Sequence, residues 1–141
     1  MYIPFNLTIQ DYLFNENSTA TFPYISFGDH SGHECNVAHF QSIENNLALN
    51  YFETINLSDE IKNDFLKQSL YRLVLHEVGH TLGLNHNFKG STLLSTKELN
   101  NKDIVNKKGI CNSVMEYPAT NIASNPENQG LFFDIKPGLY D

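Results

Sequence analysis

The stretch LVLHEVGHTLGLNHN, residues 73–87, places three histidines and one glutamate among apolar residues and glycines. On a helix, residues four positions apart lie on the same face, so His76 and His80 can direct two imidazole nitrogens to one point. Glu77 is rotated by about 100° from His76 and lies beside that point. The spacing therefore predicts two metal ligands with a carboxylate next to them.

The residues just beyond this pair predict a third ligand. Gly83 allows a left-handed backbone and a sharp turn, which brings His86 back towards the helix. Three nitrogen ligands that leave one position open are typical of a catalytic zinc site. In such a site zinc lowers the pKa of its bound water to about 7, and Glu77 is placed to take the proton and return it to the leaving amine. The pattern predicts hydrolysis of a peptide bond with one catalytic Zn²⁺.

The strongest predicted element is a helix over residues 58–83. Ser58 can cap it, Asp59 and Glu60 favour the positive end of the helix dipole, and Gly83 ends it. An apolar stripe is predicted to form its buried face; its members are Ile61, Phe65, Leu66, Leu70, Leu73, Val74 and Val78.

The remaining sequence predicts an α+β fold. Residues 1–40 are strand-rich and predict a small sheet, with strands in FNLTI, TFPYISF and ECNVAHF. Residues 41–54 have apolar side chains at helical spacing and predict a second helix. After residue 90 the chain is rich in asparagine, glycine and proline, which indicates an irregular region with one short helix.

Length and charge limit the classes of protein. The chain has 141 residues, 40% of them hydrophobic, and predicts a single domain. Its net charge of −7, with no basic cluster, argues against a nucleic-acid partner. No apolar run is long enough to span a membrane. No signal peptide is visible in this segment, and we expect a secreted or periplasmic location.

These motifs resemble the metzincin clan of zinc endopeptidases, whose pattern is HExxHxxGxxH followed by a methionine-containing turn. Residues 76–86 match the first motif, and SVMEYP at 113–118 supplies Met115 for the turn. The resemblance implies zinc ligation by the three histidines, Glu77 as the general base and Met115 as an apolar floor beneath the metal. It also implies that Tyr117 ligates zinc or hydrogen-bonds the tetrahedral intermediate.

A narrower likeness is to large bacterial zinc-dependent metalloproteases, whose catalytic segments look like HEVGHTLGLxHNFK, S(V/I)M(D/E)YP and QGLFFDIKPGLYD. The likeness runs from about residue 24 to the end. It implies a metzincin-like fold: a small twisted mixed sheet, two helices including the long active-site helix, and an irregular C-terminal subdomain. Residues 1–141 are then one catalytic domain, with 1–86 as upper and 87–141 as lower subdomain, at the core of a longer protein. Asn87 departs from the better-known families, so no substrate preference is carried over.

The segment GDHSGHECNVAH allows two interpretations. Its histidines, with Asp29 or Glu34, could bind a second, structural metal ion; they are His30, His33 and His39. A plain loop leading into an edge strand is the commoner arrangement. In the resemblance, that strand would lie beside the cleft and pair with an extended substrate.

Cys35 and Cys111 are the only cysteines. They could form a disulfide that closes a long loop, or remain two separate buried thiols. A Cys35 thiolate that reaches the zinc as an inhibitory switch is a further alternative, although a buried or disulfide-bonded cysteine is commoner.

The sequence thus predicts a monomeric zinc metalloendopeptidase that acts on an extended peptide or protein substrate. A zinc-binding pseudoenzyme, or a peptide-binding module without turnover, is the first alternative. A zinc hydrolase of a non-peptide amide is the second, because it would use the same residues.

Overall fold

Two long helices joined by a short turn dominate the computed structural model, which describes residues 35–141. Helix α1 is Val37–Thr54 and helix α2 is Asp59–Thr81. The turn between them contains Asn56, whose φ of 52° is in the left-handed region that asparagine tolerates. The helix predicted over 58–83 is confirmed as α2, although the Ser58 side chain makes no capping hydrogen bond.

The predicted α+β class is wrong for the part of the chain that the structure describes. Residues 35–141 form helices, turns and irregular segments, and none of them forms a strand. The predicted strands FNLTI and TFPYISF lie outside these residues. ECNVAHF is contradicted directly, because Val37 begins α1, and the predicted helix over 41–54 is the rest of that helix. Buried positions in α1 recur at helical spacing; they are Val37, Gln41, Asn45, Ala48 and Phe52.

The face that α2 buries differs from the predicted apolar stripe. Several members of that stripe are exposed, among them Leu70, Val74 and Val78. The buried positions are Phe65, Gln68, Ser69, Arg72, His76 and Gly79. Polar groups can occupy this face because each finds hydrogen-bond partners. Ser69 Oγ, for example, accepts from Asn45 Nδ2 of α1 at 2.8 Å.

A cluster of phenylalanines packs the C-terminal region against both helices. Phe65 of α2 meets Phe52 of α1 edge to face, with ring centroids 5.2 Å apart. Phe132 completes the arrangement at 5.3 Å from Phe65, and Phe133 lies against the same ring at 5.4 Å. Such edge-to-face contacts stabilise a core beyond the burial of apolar area.

The region after α2 has two short helices rather than the single one predicted. Helix α3 is Thr96–Leu99 and helix α4 is Lys102–Lys108, and single 3₁₀ turns occur at Gly90–Thr92 and Pro126–Asn128. A capping box between Ser95 and Glu98 starts α3. A second core cluster of Leu94, Val105 and Ile110 holds this region together.

Residues 37–141 make up one compact unit. None of the helices in residues 35–141 has the length and apolar character needed to cross a membrane.

Candidate metal centre

The C-terminal end of α2 turns the chain back through a Schellman motif. The amide of Leu84 donates to the Gly79 carbonyl at 3.0 Å, and the amide of Gly83 donates to the His80 carbonyl at 3.0 Å. Gly83 has a φ of 88°, a backbone conformation that residues with a side chain rarely adopt. The sharp turn predicted at Gly83 is therefore present.

This turn brings the three histidines together. His76 and His80 lie one helical turn apart, with ring centroids 4.8 Å apart, and His86 packs at 4.7 Å from His80. One ring nitrogen of each histidine lies within 4.8 Å of those of the other two. The Nε2 atoms of His76 and His86 are 3.2 Å apart.

Backbone carbonyls orient two of the rings. His76 Nδ1 donates to the Val114 carbonyl at 2.7 Å, and His80 Nδ1 donates to the Leu84 carbonyl at 3.3 Å. Because a carbonyl only accepts, these bonds fix the proton on Nδ1 and leave a lone pair on Nε2. The buried Nε2 of His80 has no hydrogen-bond partner within residues 35–141. Hydrogen bonds of this kind are typical of the side of a histidine that faces away from a metal.

Burial keeps His76 neutral. Its side chain is fully buried, and desolvation, the largest effect, lowers its pKa to about 3. The charges of Arg72 and the neighbouring histidines act in the same direction, and the hydrogen bond to Val114 opposes them. A neutral imidazole is the form that binds a metal.

The donor set fits a zinc ion. Tetrahedral zinc with nitrogen ligands at about 2.0–2.1 Å places those nitrogens roughly 3.3 Å apart. The 3.2 Å spacing of His76 and His86 is close to this value. The buried lone pair of His80 also needs a partner, and no donor in the described part of the chain supplies one. The three histidines could therefore hold a metal through Nε2.

Tyr117 lies at the same point. Its hydroxyl is 3.0 Å from His86 Nε2, and its ring packs against that imidazole with centroids 4.9 Å apart. Phe88 follows the third histidine, is 63% exposed, and meets the Tyr117 ring edge to face at 5.9 Å. Glu77 is half-buried on α2, one residue after His76.

Met115 lies in a turn beneath the histidine pair. The amide of Glu116 donates to the Ser113 carbonyl at 3.3 Å, which closes a turn with Met115 near its centre. The Met115 side chain is 1% exposed. Its Sδ would be only 2.5 Å from a Cβ at Gly79, the residue between the two helical histidines. A side chain at position 79 would therefore force the sulfur to move.

Two charged residues that the sequence analysis did not single out hold the turn in place. Arg72 lies one helical turn before His76, is 3% exposed, and donates through Nη2 to the Glu116 carbonyl. The Glu116 carboxylate is fully buried and accepts from the Gly90 amide at 2.6 Å and from the Ser91 hydroxyl. The position of Arg72, four residues before His76 on the same helical face, was a signal available in the sequence.

Cys111 is a thiol in this structure, not half of a disulfide. Its Sγ donates to Asp134 Oδ2 at 3.0 Å. Burial is the main reason that the pKa values of both Cys111 and Asp134 are raised, and hydrogen bonds to the carboxylate from the Cys111 thiol and the amides of Ile110 and Cys111 oppose the shift of Asp134. Cys35 belongs to the separate unit Met1–Asn36, and its thiolate-switch role stays a hypothesis.

The suggested second metal site is only partly within the described residues. His39 lies in α1 and is exposed. Within residues 35–141, the group that could hold a metal does not include it. His30 and His33 lie outside the described residues.

Comparison with protein families matches residues 58–141 to a domain family described as Met-zincin. The match covers more than half of the chain. The chain belongs to this Met-zincin family. No curated protein and no solved structure gives a significant match. Membership of the Met-zincin family and a three-histidine group that could hold a metal agree with the metzincin resemblance of the sequence. The matched part of this Met-zincin contains α2, the histidines and the turn around Met115.

Proposed function

We propose that this Met-zincin is a zinc-dependent metalloendopeptidase that binds one catalytic Zn²⁺ through His76, His80 and His86. The observation that carries the proposal is the convergence of three imidazoles, with a buried Nε2 of His80 that finds no partner among the residues the structure describes. A site built only for stability has no need of the adjacent Glu77 or of the Tyr117 hydroxyl.

Bound zinc supplies Lewis acidity, which lowers the pKa of a water to about 7 and polarises the carbonyl of the substrate. In our proposal the carboxylate of Glu77 accepts the proton of the attacking water. Glu77 then holds this proton and delivers it to the nitrogen of the leaving amine, so that the peptide bond breaks into a carboxylate and an amine.

The Tyr117 hydroxyl is proposed to stabilise the negative charge that develops on the carbonyl oxygen. Its position 3.0 Å from His86 Nε2 supports this role, because it places a hydrogen-bond donor beside the point where the histidines converge. Met115 fills the space beneath α2 and keeps water from that side of the histidines.

The proposed substrate is an extended peptide. It would reach the three histidines by lying between the residues up to His86 and the residues that follow it. Pairing of this peptide with an edge strand at ECNVAHF is excluded from the proposal, because Val37–Thr54 is a helix. The exposed ring of Phe88 supports contact with an apolar substrate side chain near Tyr117.

The test pairs metal analysis with cleavage of a broad peptide library by the wild type and Glu77→Gln. Gln has nearly the same shape but cannot accept a proton, so we expect about one zinc per chain in both proteins and cleavage only by the wild type. Equal cleavage by the two would remove Glu77 from the mechanism. Zinc binding without cleavage of any peptide by the wild type would favour a binding module without turnover.

A further inference from the structure

Behind His76 lies a line of hydrogen bonds that ends at a carboxylate. Asp141 Oδ1 accepts from the Ser113 hydroxyl at 2.5 Å. Asp141 Oδ2 accepts from the amides of Val114 at 2.9 Å and Gly138 at 2.7 Å. The Ser113 residue is 2% exposed, so water competes little for its hydroxyl.

The line continues from Ser113 to the imidazole through one peptide group. The amide of Met115 donates to Ser113 Oγ at 3.0 Å. The Val114 carbonyl belongs to the same peptide group, and it accepts from His76 Nδ1 at 2.7 Å. Each donor in this series points towards Asp141: the imidazole N–H, the Met115 N–H and the Ser113 O–H.

Hydrogen bonds that follow one another with all donors pointing the same way strengthen each other. The carboxylate polarises the Ser113 hydroxyl, which makes its oxygen a better acceptor for the Met115 amide. A peptide group whose N–H is engaged in this way has a more negative carbonyl oxygen, which binds the His76 N–H more strongly. The Nε2 of His76 then becomes more basic and its ring is fixed in orientation.

We propose that Ser113 and Asp141 are positioning residues for His76, which act through the 114–115 peptide group to set the tautomer and the donor strength of this ligand. This inference rests on the proposed zinc site. It assigns a function to Ser113, the first residue of SVMEYP, and to Asp141, neither of which is among the proposed metal ligands or catalytic residues.

Ser113→Ala is the decisive variant, because it breaks the line but keeps the bonds from Val114 and Gly138 to Asp141. Ser91→Ala is its matched control: it also removes a hydroxyl that donates to a carboxylate, that of Glu116, but this hydroxyl is not part of the line of hydrogen bonds between His76 and Asp141. Full-length wild type and both variants are compared in two measurements. The first is the zinc dissociation constant, determined by competition with a chelator. The second is the proton NMR signal of His76 Nδ1–H in metal-free, ¹⁵N-histidine-labelled protein.

We expect Ser113→Ala to weaken zinc binding about tenfold, as is common for residues that support a ligand, and to move the Nδ1–H signal upfield. Ser91→Ala should leave both unchanged. Equal zinc affinities and an unmoved Nδ1–H signal in Ser113→Ala would overturn the inference, whatever its effect on stability. If the wild type binds no zinc, the proposed function fails, and the NMR signal of the metal-free protein still decides whether the line of hydrogen bonds acts on His76.

Discussion

Replacing Gly79 by alanine should destabilise the protein, although alanine is the better helix former. In an exposed helix interior the change would stabilise by about 1 kcal/mol. Here the new Cβ would be 2.5 Å from Met115 Sδ, whereas an ordinary contact is about 3.5–4.0 Å. The sulfur must therefore retreat by roughly 1 Å. Because Met115 is only 1% exposed, no solvent-filled space receives it.

The two effects set the size of the expected change. Overpacking a full core costs about 1–3 kcal/mol, and the helix propensity of alanine returns about 1 kcal/mol. The net destabilisation should be about 1 kcal/mol, which lowers Tm by about 4 °C for a domain of this size. Chemical denaturation and thermal unfolding of the metal-free protein measure it.

A double-mutant cycle isolates the contact. Met115→Ala alone should cost about 2–5 kcal/mol through the cavity it leaves. In that background Gly79→Ala meets no sulfur and should become stabilising by about 1 kcal/mol, so the coupling is about 2 kcal/mol. Gly83→Ala serves as control, because its strain comes from the backbone φ of 88° and its Cβ meets no atom within 4 Å. Its effect should add to that of Met115→Ala. Stabilisation by Gly79→Ala in both backgrounds would refute the packing of Met115 against α2.

Three further changes test other parts of the account. Tyr117→Phe should retain zinc but lower kcat by about 10²-fold if its hydroxyl stabilises the oxyanion; steady-state kinetics that match the wild type would contradict this. Asp134→Asn should destabilise by about 1–3 kcal/mol, measured by denaturation, because the amides of Ile110 and Cys111 donate to different oxygens of the carboxylate and the new N–H₂ would face one of these donors. Burial lowers the pKa of His76 from 6.5 to about 3, so between these pH values the unfolded chain binds more protons than the folded one. The contribution of neutral His76 to the stability of the metal-free protein should therefore be complete above about pH 6.5 and lost as the pH falls towards 3. The loss in the free energy of unfolding should be at most about 5 kcal/mol. His76→Asn, which keeps a donor to Val114, should remove this part of the pH dependence in denaturation measurements, and an unchanged dependence would count against it.

Local spacing was the part of this protein that could be predicted from its sequence. The i, i+4 histidines and Gly83 depend on the geometry of one helix and its end, which neighbouring residues determine. The structure accordingly has α2 over Asp59–Thr81 and the predicted turn at Gly83.

Contacts between residues far apart in the sequence could not be predicted. The periodicity of the α2 sequence indicates an apolar face and a polar face, but it does not show which face is buried. Gln68 and Arg72 are buried because backbone groups far along the chain form hydrogen bonds with them. Gln68 Oε1, for example, accepts from the Phe132 amide at 2.8 Å. The same limit applies to ECNVAHF, which the sequence analysis predicted to be a strand. In the structure Val37 is buried at helical spacing with Gln41 and Asn45 and belongs to α1.

The most direct test of the central claim is X-ray absorption at the zinc edge of the zinc-loaded, full-length protein. We expect three imidazole nitrogens at about 2.0–2.1 Å and oxygen from water in the remaining position. In His86→Ala we expect the loss of one imidazole contribution. A first shell completed by four protein ligands, or one that keeps three imidazoles in His86→Ala, would contradict it.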